Sequence, residues 1–397
     1  MRIIKDSAVY LIGELFSKIL PFLMLPYLTR KLGTDGFGEL SYYLTWLALF
    51  GIFIGLSQEG AVTRYYYFYG TKGIDNIVRV GYFFNIAFTI LILIGCWIFE
   101  SEIISYIALA TAFQSFLNVQ LALRQCQKQP LKYVKIQIIL SILTVIFTIS
   151  ALEFFSENLV KYRILAIVLA NLLTFLIANA LLNKSNHRNS LTIKRFKISF
   201  IYIVSYGFPL ILHQTSFFIK GQLDRIFIYE KYSKTDLGVY SAGVQVAAIL
   251  PVVFMALNKA IVPYYYQGLK EGKLNEKKIK KNSFLSVFVC FLPALIAFLL
   301  PKEVYNWFLG QEYTHSKYYV VAYLLGYGLN LPYLFLVNYF FYHSMNKLIS
   351  ISSLMSSIIY LFFLVFFSNM SIELVPYSLL ISNIFLILFL SYQMRVK

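Results

Sequence analysis

Two pairs of oppositely charged residues interrupt long apolar stretches of this 397-residue sequence. Glu14 and Lys18 stand four positions apart in the first apolar segment, and Lys220 and Asp224 repeat this spacing in the second half. Residues four apart share one face of a helix, where opposite charges can pair. Because a charge inside a lipid bilayer is costly, each of these residues is a candidate for binding a charged substrate or a coupling ion. The alternative is a neutral ion pair that only stabilises its helix.

Further polar residues accompany Lys220 and Asp224 in the same apolar segment. His213 and Gln214 stand near its centre, and Arg225 falls on the same helical stripe as Gln214. His213 is either a packing residue or a proton carrier, and Arg225 is either a substrate contact or an anchor at the outer membrane surface. Arg64 and Lys259 are candidates for the cytoplasmic mouth of a pathway, with snorkelling anchors as the alternative.

The positions of these charges depend on the segments that carry them. The sequence is 59% hydrophobic and 13% charged, whereas soluble domains carry about 25% charged residues, so a soluble fold is excluded. Apolar runs of about 20 residues predict membrane-spanning helices rather than barrel strands. Hydropathy places about twelve of them, near 6–28, 39–57, 80–99, 103–123, 136–155, 164–182, 206–229, 237–258, 284–300, 318–341, 350–367 and 374–392.

The distribution of positive charge predicts the orientation of these segments. Lys and Arg in the loops on the side of both termini outnumber those in the opposite loops by roughly three to one, which places both termini in the cytoplasm. The net charge of +17 is therefore a topology signal and predicts no nucleic-acid partner. The three cysteines, Cys96, Cys126 and Cys290, have neither disulfide nor metal-ligand spacing and are expected to be reduced. No catalytic constellation, metal site or bound cofactor is predicted.

A shift of 200 residues aligns the two halves of the chain. Gly38 falls on Gly238, Gln58 falls on Asn258, and several further positions match at the same offset. The alignment predicts two parallel six-helix repeats, an architecture in which transporters bind substrate between two bundles. The expected organisation is an N-terminal bundle over 1–183, a cytoplasmic linker over 184–205 and a C-terminal bundle over 206–397.

Local motifs add a family resemblance. The stretch Leu25–Gly33, which reads LPYLTRKLG, resembles the O-antigen and polysaccharide flippases, as do Phe37-Gly38 and Arg64-Tyr65-Tyr66 after it and Asp224-Arg225 with Gly238-Val239-Tyr240-Ser241 in the second half. This family is the polysaccharide branch of the multidrug, oligosaccharidyl-lipid and polysaccharide exporter (MOP) superfamily. The resemblance covers essentially the whole chain and agrees with the multidrug-exporter-like architecture of two bundles.

The resemblance implies a flippase of the bacterial inner membrane rather than an enzyme. Its implied substrate is an undecaprenyl-diphosphate-linked oligosaccharide, such as an O-antigen or capsule repeat unit, moved from the cytoplasmic to the periplasmic leaflet. Membrane lipids and other polysaccharide assembly proteins are the further partners that it suggests, and coupling to an H⁺ or Na⁺ gradient stays open. Cationic residues that line a central cavity would meet the diphosphate, and the candidates here are Lys18, Lys220 and Arg225.

Two other functions compete with the flippase. A drug or cation antiporter of the same superfamily would be expected to line its cavity mainly with acidic residues, whereas the candidates here are mixed. A membrane-embedded glycan polymerase would need a large outer loop with catalytic residues. The longest predicted outer connection, Pro301–Lys317, is short, and an internal duplication has no role in that enzyme.

Overall fold

The computed structural model describes residues 13, 19–180 and 191–394. Within these ranges the regular structure consists of helices and contains no strand. The α-helices are α1 Leu25–Gly55, α2 Gln58–Phe68, α3 Ile74–Ile98, α4 Glu102–Cys126, α5 Pro130–Phe154, α6 Leu159–Ala180, α7 Ile193–Lys231, α8 Lys234–Ala247, α9 Ile249–Lys270, α10 Glu276–Leu299, α11 Lys302–Leu309, α12 Ser316–Gly328, α13 Asn330–Tyr342, α14 Asn346–Ser368 and α15 Val375–Gln393.

Eleven of the described helical stretches are long and apolar enough to cross a membrane. They coincide with the second to twelfth predicted segments, and large apolar side chains such as Trp97 and Phe288 are exposed on their outer surfaces. The first predicted segment, 6–28, falls mostly outside the described residues. The prediction of an all-α, multi-pass membrane protein is confirmed.

Backbone irregularities divide the first long helical stretch. Gly33 has a φ of 65° inside α1, a left-handed conformation that glycine adopts without steric cost. Leu56 and Ser57 also have positive φ angles, 44° and 50°, and separate α1 from α2. In the equivalent stretch of the second half, the start of a helix is marked instead, because Ser233 and Asp236 form a capping box at the start of α8.

The described chain separates into two compact units that do not follow the order of the sequence. The first unit takes in residues 19–24 and Tyr42–Thr215, and the second contains Leu25–Ser41 together with the chain after Ser216. The second unit therefore includes the first part of α1, and the first unit includes the first part of α7. Helix α7 begins at Ile193, well before the predicted start of its segment at 206, so part of the predicted linker is helical.

The first unit is built around α4, which packs against α2, α3 and α6. One core cluster joins Leu56, at the break between α1 and α2, with Val80, Val119 and Ile203 from α3, α4 and α7. Glycine allows two close approaches in the same region. A Cβ at Gly81 would press on the Gln58 side chain, and one at Gly207 would overlap Leu56.

The second unit contains a reciprocal contact between the two halves of the sequence. A Cβ at Gly38 would overlap the carbonyl oxygen of Lys234, and one at Gly238 would overlap the carbonyl oxygen of Thr34. Each glycine therefore lets its helix touch the backbone of the other, as small residues do at close helix crossings in membranes. The positions are related by the same offset of 200 residues that aligns the halves, which supports the predicted repeat.

Candidate functional site

Helix α7 carries five of the predicted site residues, and the structure divides them between the two units. His213 and Gln214 lie in the part that belongs to the first unit, whereas Lys220, Asp224 and Arg225 lie in the second. His213 is exposed, and the Gln214 amide donates to the Ser57 hydroxyl at 2.7 Å, beside the break between α1 and α2. The polar residues predicted on α7 therefore lie in two separate environments.

Asp224 is the most deeply buried of these residues, with 2% of its surface exposed. Its Oδ2 accepts hydrogen bonds from the hydroxyls of Tyr323, at 2.8 Å, and Tyr240. Its Oδ1 accepts from the backbone N–H of Arg225 at 3.0 Å and lies 3.7 Å from the Arg225 guanidinium. A buried carboxylate needs such donors and a counter-charge to offset its desolvation, so Asp224 is both satisfied and neutralised.

The predicted Lys220–Asp224 ion pair does not form among the described residues. The Lys220 ammonium instead donates to the Ser356 hydroxyl at 2.9 Å and to Asn383 Oδ1 at 2.8 Å. Spacing along one helix permits the pair, but α7 is packed among other helices whose donors and acceptors satisfy the two groups separately. Lys220 is consequently a half-buried cation whose partners are neutral oxygens on α14 and α15.

The guanidinium of Arg225 stays close to its own helix. It donates to the Gly221 carbonyl at 2.8 Å and to Gln222 Oε1 at 2.6 Å, in addition to the Asp224 contact. Arg225 therefore balances the charge of Asp224, and of the two cations on this part of α7 only Lys220 lacks a carboxylate partner among the described residues.

The other predicted residues lie apart from this group. Arg64 is exposed and stands 5.6 Å from the Phe68 ring and 5.8 Å from the Tyr206 ring, both in the first unit. Lys259 is exposed on α9. Glu14 and Lys18 lie outside the described residues, so their predicted pairing stays a prediction.

Two arginines that hydropathy assigned to loops lie inside membrane-spanning helices. Arg124 is 1% exposed on α4 and donates to the Ala178 carbonyl at 2.8 Å, while its Nε has no hydrogen-bond partner among the described residues. On α6, the Nε and Nη1 atoms of Arg163 are buried without a hydrogen-bond partner in the described part of the chain. A hydropathy window shortens a segment at each charge, so the end of α4 was placed too early and the start of α6 too late. The next helix-start signal, Pro130 at the beginning of α5, marks the loop after Arg124 more accurately.

A carboxylate was missed as well. Glu59 lies half-buried on α2, directly after the helix break, and no ion pair joins it to another described residue. Its neighbour Gln58 is 1% exposed, and neither polar atom of its amide has a hydrogen-bond partner in the part of the chain that the structure describes. Nowhere in the described ranges do three His, Cys, Asp or Glu side chains group as metal ligands.

Comparison with known proteins identifies the family of this chain. Residues 3–269 match the family model described as polysaccharide biosynthesis protein. The chain belongs to this family. A relative from Haemophilus influenzae, a protein of the Lsg locus, is 47% identical over 387 residues, which cover 98% of this chain and 96% of the relative. The resemblance inferred from the motifs around Gly33 and Asp224 is confirmed.

Solved structures show the fold of this member of the polysaccharide biosynthesis family. An inward-facing multidrug resistance MATE family transporter of the MOP superfamily superposes with a TM-score of 0.68 at 15% identity, covering 94% of both chains. The lipid II flippase MurJ in an inward closed conformation gives a TM-score of 0.65 at 13% identity, covering 98% of this chain and 87% of MurJ. The chain is therefore a multi-pass membrane protein of the polysaccharide biosynthesis family with the fold of MOP superfamily transporters.

Proposed function

We propose that this protein is a flippase that moves a polyprenyl-diphosphate-linked oligosaccharide from the cytoplasmic to the periplasmic leaflet of the bacterial inner membrane. The observation that carries the proposal is the imbalance of charge inside the membrane-spanning helices. Arg124, Arg163 and Lys220 have neutral partners or none among the described residues, whereas Asp224 is neutralised by Arg225. The buried charge that lacks a counter-ion is therefore mainly positive.

Such an excess suits an anionic head group. The idealised cost of moving one ion from water into a medium of low dielectric constant is of order 20 kcal/mol, so a diphosphate cannot cross the bilayer unaided. Cationic side chains donate charge-assisted hydrogen bonds to phosphate, which are among the stronger polar contacts. They can therefore replace part of the hydration of the diphosphate. Lys220 in the second unit is the residue that we assign to this role, and Arg163 is a separate candidate within the first unit.

Coupling to an H⁺ or Na⁺ gradient is the proposed energy source. Glu59, half-buried beside a helix break, and Glu14, which lies outside the described residues, are the carboxylates that we propose for this coupling. The partners of the protein would be the lipid-linked oligosaccharide, the surrounding membrane lipids and other proteins of polysaccharide assembly.

The antiporter alternative shares the fold but is less consistent with the charges. A site for organic cations needs an excess of carboxylates without a counter-charge. Asp224 is paired, and Glu59 stands against three cations, Arg124, Arg163 and Lys220, that lack a carboxylate partner among the described residues. A glycan polymerase would need reactive groups in an outer domain, whereas the connection between α10 and α12 contains only the eight-residue α11 and one 3₁₀ turn. Transport of an anionic lipid remains the function that these residues support best.

Purified protein in vesicles with a lipid-linked oligosaccharide tests the proposal. Translocation would be followed as the fraction of glycan that a membrane-impermeant glycosidase can cleave. We expect Lys220→Gln to lower the rate by about ten- to a hundredfold, because one charge-assisted contact contributes about 1.5–3 kcal/mol. Lys231→Gln is the matched control, since Lys231 also donates to a serine and an asparagine, Ser368 and Asn369, at the end of the same helix.

The flippase proposal would be refuted by an absence of glycan translocation. If vesicles with the wild-type protein expose no more glycan than protein-free vesicles at any imposed H⁺ or Na⁺ gradient, the protein does not translocate this substrate. Equal loss of activity in Lys220→Gln and Lys231→Gln would instead remove Lys220 from the head-group site.

A further inference from the structure

A groove of about 510 Å³ opens on the second unit between α10 and α15. Both helices pack against α12 and α13, and they contact each other far less. The junction between α12 and α13 lies at the base, where Leu329 is 5% exposed. The groove therefore results from the spacing between the two helices and not from the side-chain conformations alone.

The lining of the groove changes from polar to apolar along its length. Lys280, Ser391 and Tyr392 lie at one end, and Phe284, Val287, Ile384 and Leu388 form the walls beyond them. From Lys280 to Val287 a helix rises about 10 Å, and from Tyr392 back to Ile384 about 12 Å. These lengths fit within one leaflet, which is about 15 Å, half of a hydrocarbon core of about 30 Å.

The walls are open to the surroundings. Phe284 is 67% exposed and Leu388 is 63% exposed, so the groove faces lipid rather than the interior of the unit. It is also separate from the Lys220 network. Asn383 is buried and faces Lys220, whereas its neighbour Ile384 is 42% exposed and lines the groove.

The polar end of the groove lies in a field of positive charge. Lys277, Lys278 and Lys281 are exposed in the first turns of α10, around the half-buried Lys280. Clustered lysines beside a membrane attract anionic lipids. An occupant of this groove should therefore combine a negative head group with an apolar chain of about one leaflet in length.

We infer that this groove binds an anionic diacyl phospholipid, with one acyl chain between α10 and α15 and its phosphate at Lys280. A neutral lipid could fill the apolar walls but would gain nothing from the lysines. The inference does not depend on which substrate the protein transports.

Native mass spectrometry of the full-length protein in detergent tests this site. Dioleoyl phosphatidylglycerol and dioleoyl phosphatidylcholine would be added separately, and the dissociation constant of the first tightly bound lipid measured for each. We expect phosphatidylglycerol to bind at least tenfold more tightly than phosphatidylcholine. Lys280→Gln should remove most of that difference, and Leu388→Trp, which fills the groove, should weaken both lipids.

Lys277→Gln is the matched control, because it removes the same charge from the same helix outside the groove. It should change the affinity for phosphatidylglycerol by less than about threefold. Equal weakening by Lys277→Gln and Lys280→Gln would overturn the inference, because it would show diffuse attraction to the surface. Displacement of the bound phosphatidylglycerol by an equal concentration of undecaprenyl phosphate would overturn it as well, because the groove would then belong to the transported lipid.

Discussion

Gly38 and Gly238 occupy equivalent positions in the two halves of the sequence, and each lies against the backbone that precedes the other. The contact is reinforced by the Lys234–Glu39 ion pair at 2.9 Å and by a hydrogen bond from Thr235 to Asp35. Because the two helices touch through main-chain atoms, neither glycine can be replaced without moving a helix.

The first prediction concerns the stability of this crossing. Gly38→Ala should lower the free energy of unfolding by about 1–3 kcal/mol, the range for overpacked positions, and should lower the melting temperature of the purified protein in detergent. Gly51→Ala is the control, since a Cβ there meets no described atom within 4 Å. It should be neutral or stabilise by up to about 1 kcal/mol, because alanine is the better helix former. Equal melting temperatures of the two variants would contradict the close contact.

The second prediction links the same crossing to transport. In a background without Cys96, Cys126 and Cys290, a disulfide between Asp35→Cys and Thr235→Cys should stop glycan translocation, and reduction should restore it. Both segments belong to the second unit. We predict that the transport cycle nevertheless opens this crossing, because it joins equivalent parts of the two sequence halves, and a covalent bond would prevent the opening.

A cross-link at another ion pair provides the control for that experiment. Glu102 and Lys161 contact each other at 2.7 Å, both within the first unit. A disulfide at these two positions should leave the transport rate within about twofold of the uncross-linked protein. Full activity of the 35–235 cross-linked protein would show that this crossing stays closed throughout the cycle.

A third prediction concerns the Asp224 network. Asp224→Asn should destabilise the protein by about 3–5 kcal/mol, because it leaves the charge of Arg225 without its partner. Tyr323→Phe removes one hydrogen bond and should cost about 1 kcal/mol. Thermal unfolding in detergent would rank the two variants, and a larger effect of Tyr323→Phe would show that the Asp224–Arg225 pair contributes little.

Arg163 allows a fourth test, of the cationic site in the first unit. Arg163→Gln should raise the lipid concentration needed for half-maximal translocation by about ten- to a hundredfold, as expected for loss of one charge-assisted contact. Lys161→Gln, two residues away on α6, removes a charge that is already paired with Glu102 and should have little effect. Similar curves for the two variants would exclude Arg163 from head-group binding.

The fifth prediction concerns orientation. Reporter fusions after Asn189 and Lys397 should give a cytoplasmic signal, and a fusion at Gln311, in the turn between α11 and α12, should give a periplasmic one. The excess of Lys and Arg on one side is the reason. A periplasmic signal at Asn189 would reverse the topology.

Most of the fold could be predicted because long apolar runs have few structural solutions in a bilayer. Eleven predicted segments correspond to observed spans, and the equivalence of Gly38 and Gly238 was visible from the repeat alone. Boundaries were less accurate where charge extends into a helix. Arg124 and Arg163 were assigned to loops, although helical hydrogen bonding continues through both positions.

The site could be predicted only as a set of residues on one helix. Spacing along α7 suggested that Lys220 pairs with Asp224, but their actual partners come from elsewhere in the sequence. Tyr240 and Tyr323 donate hydrogen bonds to Asp224, while Ser356 and Asn383 accept hydrogen bonds from the Lys220 ammonium. Serine, tyrosine and asparagine are common in these segments, so no pattern within one segment distinguishes the few that point at a charge.

The exchange of segments between the units has a consequence for biosynthesis. Residues 25–41 are synthesised early, yet the surface on which they pack includes Lys234–Gly238, which the ribosome adds some two hundred residues later. This segment can therefore complete its packing only after its counterpart has been synthesised and inserted. Completion of the amino-terminal bundle likewise awaits the first part of α7. The two halves, although similar in sequence, mature together as one assembly step.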